Sequence, residues 1–255
     1  MLEPLNIAVA QPLCVPYDVA ANAVTHAATV RSAGARVVVF PELSLTGYAL
    51  DAPAITVDDP QLAPIAQACA DTGSLALAGA PVRGETDRSH IAMLAIEGTG
   101  AVVAYRKMWL STTESIRFTP GDSPAVLDVD GWRLGLAICK DTGVPQHASD
   151  TAALGIDAYV AAILESAAQT AIQEERARRI IADHQVWVAI ASFAGSTGGS
   201  YAQAAGRSGI WRSDGVVVAR AGPQTGAIAR ATLGLTRGLT SAKAADRSGL
   251  TVRCG

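Results

Sequence analysis

The sequence is poor in aromatic side chains, with 3 Phe, 4 Trp and 5 Tyr among 255 residues. Its core therefore has to be assembled mainly from Ala, Val, Leu and Ile. Charge is also sparse: Asp, Glu, Lys and Arg make up 17%, the formal net charge is -3, and no Lys/Arg block exceeds two residues. Such a chain offers no electrostatic footprint to a nucleic-acid backbone or an anionic membrane, so neither is an expected partner. The four cysteines, Cys14, Cys69, Cys139 and Cys254, form no CxxC pair and have no histidine at ligand spacing. That argues against a zinc site or a redox dithiol and leaves reduced thiols, as in a cytoplasm. No apolar run reaches the roughly 20 residues of a membrane helix. The start, Met1-Leu2-Glu3-Pro4, lacks the basic segment of a signal peptide. A soluble, cytoplasmic protein is expected.

What the chain does have is 49% apolar residues and a length that suits one large domain, expected over residues 1–255. Short runs rich in Val and Ile alternate with segments of helical period, the pattern of an α/β chain. Strands are expected at Asn6 to Ala10, Val37 to Phe40, Leu75 to Val82, Ile91 to Glu97, Val102 to Tyr105, Ala125 to Val129, Leu134 to Ile138, Ala158 to Ile163, Val186 to Ala191, Gly209 to Trp211, Val216 to Ala219 and Ala227 to Leu233. Helices fit Asp18 to Ala33, Gln61 to Asp71, Pro145 to Leu154 and Ala167 to His184, with Asp18 and Asp59 as N-caps and Gly34 and Gly73 as stops. Tight-turn signals at residues 97–100, Asp130-Gly131 and 213–215 mix hairpins with the helices. Mixed sheets, each covered by helices on one face and packed on each other, satisfy this pattern as a four-layer sandwich. Residues 195–200 are expected to form a mobile loop, and residues 240–255, carrying Lys243, Arg247 and Arg253, a surface or subunit-contacting tail.

Three separated segments each place a reactive side chain just after an apolar strand: Glu42 after residues 37–41, Lys107 after 102–106 and Cys139 after 134–138. Singly, each has an ordinary alternative as a capping acid, a strand-end lysine or a packed thiol. Together they supply a nucleophile, a proton shuttle and an oxyanion donor, the parts of acyl-transfer chemistry. None of His26, His90, His147 and His184 stands in a context that marks it as a base, so a carboxylate fits that role better. Pro41 ends strand hydrogen bonding before Glu42, and an acid against an apolar wall acquires a higher pKa, useful for accepting and returning a proton.

The ordered set resembles the Glu-Lys-Cys triad of the nitrilase superfamily of carbon-nitrogen hydrolases. Pro41-Glu42 with Thr46-Gly47-Tyr48 resembles the first family motif. Tyr105-Arg106-Lys107 followed by Leu110, Glu114, Phe118, Pro120 and Gly121 resembles the second, and Ala137-Ile138-Cys139-Lys140-Asp141 the third. Arg176 to Arg179 before Val186-Trp187-Val188, then Gly206-Arg207-Ser208 and Asp214-Gly215, are similar to the C-terminal signatures. The resemblance implies an αββα sandwich, homodimers or larger homo-oligomers, and hydrolysis without cofactor or metal. It further implies that Cys139 attacks a small-molecule amide, that Glu42 shuttles the proton, and that Lys107 and the backbone N–H of Lys140 hold the oxyanion until a thioester forms. Glu114 matches an acid that positions substrate or supports Lys107, and Tyr48 belongs with the substrate-binding residues.

Departures narrow the choice. Lys140-Asp141 stands where nitrile-hydrolysing relatives carry Trp-Glu, which favours an amidase acting on linear amides. Thr142-Gly143 stands where carbamoyl-amino-acid hydrolases place carboxylate-binding arginines. A ureido hydrolase or a nitrilase is the next alternative, with acyl transfer, a glutaminase unit serving a synthetase, and an idle binding protein on the same fold behind them. Residues 161–165 replace a Pro-aromatic stretch common in the family, and Glu165 is a candidate contact for a cationic or amine-bearing substrate.

Overall fold

The structure is a computed structural model that describes residues 3–84, 88–198, 201–234 and 251–254. Five strands come first: β1 (Leu5–Gln11), β2 (Val37–Val39), β3 (Leu75–Arg83), β4 (Ser89–Glu97) and β5 (Gly100–Arg106). Next come β6 (Ala125–Val129), β7 (Trp132–Ile138), β8 (Ala158–Ile163) and β9 (Trp187–Ser192), then the short β10 (Ala194–Gly195) and β11 (Ala204–Ala205). The chain closes with β12 (Gly209–Trp211), β13 (Val217–Arg220), β14 (Ala227–Leu233) and β15 (Thr251–Cys254). The helices are α1 (Val19–Ala33), α2 (Ala63–Thr72), α3 (Thr112–Ser115), α4 (Pro145–Ala153) and α5 (Thr170–His184).

Two mixed sheets result, ordered β14-β1-β2-β3-β4-β5 and β13-β12-β9-β8-β7-β6-β15. Each has a parallel centre, β1-β2-β3 in one and β7-β8-β9 in the other, flanked by antiparallel strands. β2 and β8 are buried along their whole length, as parallel strands covered on both faces must be. Alternation along β1 shows the layering: Leu5, Ile7 and Val9 enter the space between the sheets, while Ala8 and Ala10 meet the helical side. The inter-sheet layer joins Val37, Val39, Leu75 and Leu77 to Leu134, Leu136, Val160 and Ala189. Outside it, α1 and α2 pack on the first sheet through small residues such as Ala23, Ala27 and Ala68 against Ala76, Ala78 and Ala80. α4 and α5 cover the second sheet through Ala148, Ala177 and Ile180. The fold is the expected αββα sandwich.

Most boundaries fall within two residues of expectation, because hydrophobic period and cap chemistry are local signals. Asp18 accepts a hydrogen bond from the Ala21 N–H and Asp59 from that of Gln61, and Gly34 and Gly73 are left-handed. The Asp130-Gly131 turn has φ of 50° and 88°, as a two-residue hairpin requires. Two expected helices start differently, with single 3-10 turns at Pro60–Leu62 and Ala167–Gln169 leading into α2 and α5. α3, the β10/β11 pair and β15 go beyond the expected elements; all are too short to show a period, and β15 has its partner more than a hundred residues away. In the expected mobile loop, Gly195 belongs to β10, while Gly199 and Ser200 lie outside the described residues. In the expected tail, Thr251–Cys254 pairs antiparallel with β6 as the second sheet's edge strand; Lys243 and Arg247 lie outside the described residues. Among the described residues no helix is long and apolar enough to cross a membrane.

Candidate active site

Glu42, Lys107, Cys139 and Glu165 all follow carboxyl ends of strands, after β2, β5, β7 and β8 respectively, where α/β sheets open their clefts. Glu42 sits in a tight loop on β3: a Cβ on Gly79 would stand 2.4 Å from the Leu43 nitrogen and 2.6 Å from the Pro41 oxygen, so only glycine admits the loop this close. Leu43 takes a left-handed φ of 49° immediately afterwards. Lys107 leaves β5 with its N–H on the Ile91 carbonyl and its own carbonyl receiving the Gly121 N–H. Glu114 is placed by a capping box on α3, its Oε2 accepting the Ser111 N–H at 2.7 Å while Ser111 Oγ accepts the Glu114 N–H. That leaves Oε1 free for Lys107.

These side chains meet out of water. Lys107 Nζ donates to Glu42 Oε1 at 2.6 Å and to Glu114 Oε1 at 2.7 Å, and the three residues are 1%, 0% and 2% exposed. Cys139 opens a 3-10 turn, Cys139–Gly143, with φ of 44°, an uncommon conformation for a side-chain-bearing residue. Its Sγ donates to the Leu164 carbonyl at 3.3 Å. Among the described residues Glu42 Oε2 receives no hydrogen bond. A cavity of about 530 Å³ stands over the group, lined also by Tyr48, Leu50, Ser111, Lys140, Leu164, Glu165, Arg176 and Tyr201. All seven residues singled out from the sequence, Glu42, Lys107, Cys139, Glu114, Lys140, Tyr48 and Glu165, are therefore gathered at one place, Glu42 beneath the others through Lys107.

A family model for carbon-nitrogen hydrolases matches residues 6–238. The chain belongs to the carbon-nitrogen hydrolase family. It is thereby a member of the nitrilase superfamily and an enzyme that hydrolyses carbon-nitrogen bonds. A "Hydrolase in pqqF 5'region" of Pseudomonas protegens is 27% identical over 230 residues, covering 87% of this chain and 80% of the relative. Nit3 of Saccharomyces cerevisiae, described as a member of branch 10 of the nitrilase superfamily, superposes with a TM-score of 0.81 at 23% identity, covering 91% of this chain and 90% of Nit3. A mutant amidase from Nesterenkonia sp. AN1, carrying the acetamide moiety of fluoroacetamide on its active-site cysteine, superposes at 0.78 with 20% identity and 90% coverage of each chain. At these identities the two superpositions speak for the fold alone.

In this carbon-nitrogen hydrolase, burial sets the electrostatics. Desolvation pushes the Glu42 carboxyl up to about 7, against the pull of the Lys107 charge and with a further push from Glu114. Desolvation alone would lower Lys107, but the charges of Glu42, Cys139 and Glu114 outweigh it and hold the ammonium above the ordinary lysine range. The Cys139 thiol is raised well above its usual value by burial and then by Glu42, with Lys107 opposing. The hydrolase therefore holds a protonated thiol beside a carboxyl poised to change state near neutral pH, and a cation fixed behind both.

Three participants were not singled out from the sequence. Asp141 is buried and accepts from the Ile138 N–H (2.9 Å), the Trp109 N–H (2.9 Å) and the Tyr105 hydroxyl (2.8 Å), pinning the Cys139 turn to the segment that follows Lys107. His147 lies beyond it, with Nε2 2.8 Å from the Tyr105 hydroxyl and Nδ1 2.9 Å from that of Tyr159. Burial lowers its pKa, and it faces these tyrosines rather than the cavity. Arg176 reaches the cavity wall from α5. Asp141 and Arg176 stood in the motifs, yet nothing in their spacing showed where they point. Among the described residues no group of His, Cys, Asp and Glu is arranged to hold a metal ion.

Proposed function

We propose that this hydrolase is an amidase that cleaves a small linear carboxamide to a carboxylate and ammonia through a thioester on Cys139. The observation that supports it most is the buried Glu42–Lys107–Glu114 cluster beside a thiol whose proton has an unpartnered carboxylate oxygen to go to. Glu42 takes the thiol proton as Sγ bonds to the amide carbon. The developing oxyanion is stabilised by the Lys107 ammonium and the Lys140 backbone N–H. Collapse breaks the carbon-nitrogen bond, Glu42 giving its proton to the departing ammonia. Glu42 then takes a proton from water, whose oxygen adds to the thioester carbon, and the second collapse returns the thiol and the free acid. Glu114 holds Lys107 in place. We place the chain in the cytoplasm, working as a single-domain homo-oligomer.

Trapping tests the chemistry. In Glu42→Gln the shuttle is lost, so deacylation is expected to be slowed more than the binding of substrate, and intact-protein mass after incubation with amides should show an adduct equal to the acyl group on Cys139. Assay of amides, ureido acids and nitriles for ammonia decides among the alternatives; release from nitriles or ureido acids alone would overturn the amidase reading.

The pH profile tests the base. Only ionised Glu42 can accept the thiol proton, and its ionised fraction grows as pH rises past about 7. kcat/KM is therefore expected to fall on the acid side with an apparent pKa near 7, the coupled value of Glu42 with Lys107, Glu114 and Cys139 around it. A flat profile through that range would remove Glu42 as the base.

A further inference from the structure

Five charged side chains line the cavity, Lys107, Lys140, Glu114, Glu165 and Arg176, and Glu42 lies beneath it on Lys107. Lys140 is exposed, with its ammonium on the Leu110 carbonyl at 2.7 Å, so solvent screens it from the interior. Two cations further in, Lys107 and Arg176, face three carboxylates, Glu42, Glu114 and Glu165. Lys107 is shared by the first two. The third pair stands apart on the wall formed after β8: Arg176 Nη1 donates to Glu165 Oε1 at 2.6 Å.

Arg176 occupies this position because of Gly143. A Cβ at residue 143 would stand 3.3 Å from Arg176 Nε and 3.4 Å from Cζ and Nη2, so the guanidinium lies directly on the turn that carries Cys139. The same Nη1 also donates to Thr142 Oγ1 at 3.3 Å, and Thr142 Oγ1 donates to the Cys139 carbonyl at 2.7 Å. Arg176 is thereby committed to the turn and to one oxygen of Glu165. The other oxygen, Oε2, accepts no hydrogen bond from the described residues, although Glu165 is only 9% exposed and lines the cavity. Its charge acts on both Cys139 and Tyr201, which line the same cavity.

We propose that Glu165 selects the acyl portion of the substrate by accepting a hydrogen bond from an ammonium group on the acyl chain, so that the preferred substrates are small carboxamides bearing an amine. This rests on the amidase reading above. With Glu42 ionised, the inner groups carry one more negative than positive charge; a substrate ammonium balances that excess, and a substrate carboxylate doubles it. An ammonium on Glu165 also shields the thiolate from one of the carboxylates that oppose its formation. Arg176 is a poor receptor for a substrate carboxylate, because its Nη1 is already taken and Glu165 stands beside it.

The test compares ammonia release from 3-aminopropanamide, butyramide and succinamate by the intact enzyme and by Glu165→Gln. A charged hydrogen bond of this kind predicts that kcat/KM for 3-aminopropanamide exceeds that for butyramide by about 10- to 100-fold, with succinamate the poorest. In Glu165→Gln that ratio should collapse towards one, and in Glu165→Asp it should be partly kept. Each ratio is taken within one enzyme, so a loss of folded fraction cancels. Preference for succinamate, or an equal ratio in parent and Glu165→Gln, overturns the proposal while butyramide turnover leaves the amidase reading standing. Failure of every amide to release ammonia overturns both.

Discussion

Cys139→Ala is expected to abolish ammonia release, by at least about 10⁴-fold, without unfolding the protein; loss of a nucleophile in other acyl-transfer enzymes has effects of that order. The fold should hold for a local reason. The φ of 44° at this position is already borne by a residue with a Cβ, and alanine brings no new strain. The lost sulfur donates one long hydrogen bond to Leu164, so the stability cost should stay near or below about 1 kcal/mol, roughly 2–4 °C in midpoint for a chain of this size. Ammonia assay and thermal unfolding of the same preparation check both halves. Near-parental turnover would remove Cys139 from the chemistry. The other thiols serve as controls: Cys14 and Cys69 are buried, burial pushes both up, Cys69 to about 11, and neither lines the cavity. Cys139 is raised too, so its expected reactivity comes from Glu42 taking the proton locally rather than from a standing thiolate.

Lys107→Met should fail in activity and in stability together. Methionine retains much of the side chain's length but leaves Glu42 and Glu114 buried without the cation between them. Removing one partner of a buried ion pair typically costs about 3–5 kcal/mol, and loss of the fixed oxyanion charge should cost on the order of 10²–10³ in kcat. Glu42 can relieve the first penalty only by binding a proton. Burial already raises its pKa to about 7 against the pull of Lys107, so without that cation its folded value lies further above the unfolded one and the folded variant holds more protons than the unfolded chain. Stability is therefore lost as pH rises through the folded value of Glu42 and recovers as pH falls. Urea unfolding of parent and variant at several pH values reads this directly. A variant as stable as the parent at every pH would show that Lys107 does not offset the burial of Glu42.

Much of the fold was legible because its signals are local. Runs such as Val37 to Val39 and Ala158 to Ile163 carry their own evidence of burial on both faces. Asp18, Asp59, Gly34 and Gly73 act through hydrogen bonds and φ values within a few residues. α3 is a different case. Its Ser111-x-x-Glu114 box is visible in the sequence, but four residues of helix have no period to detect, and Glu114 was noticed through motif likeness instead. β15 is recognisable only by its partner β6, more than a hundred residues earlier.

The sequence by itself determined the layered α/β architecture, the family and seven of the residues that gather at the site, but not Arg176 or Tyr201. Tertiary structure alone decided how they are wired. Glu42 and Lys107 stand 65 positions apart, and their 2.6 Å contact exists because β2 and β5 belong to one sheet with their carboxyl ends on the same edge. Whether Asp141 braces the nucleophile's turn, whether His147 sees the cavity, and which oxygen of Glu165 is left open depend on how the two sheets and α5 close on one another. Those outcomes follow from packing between elements distant along the chain, which residue spacing does not encode.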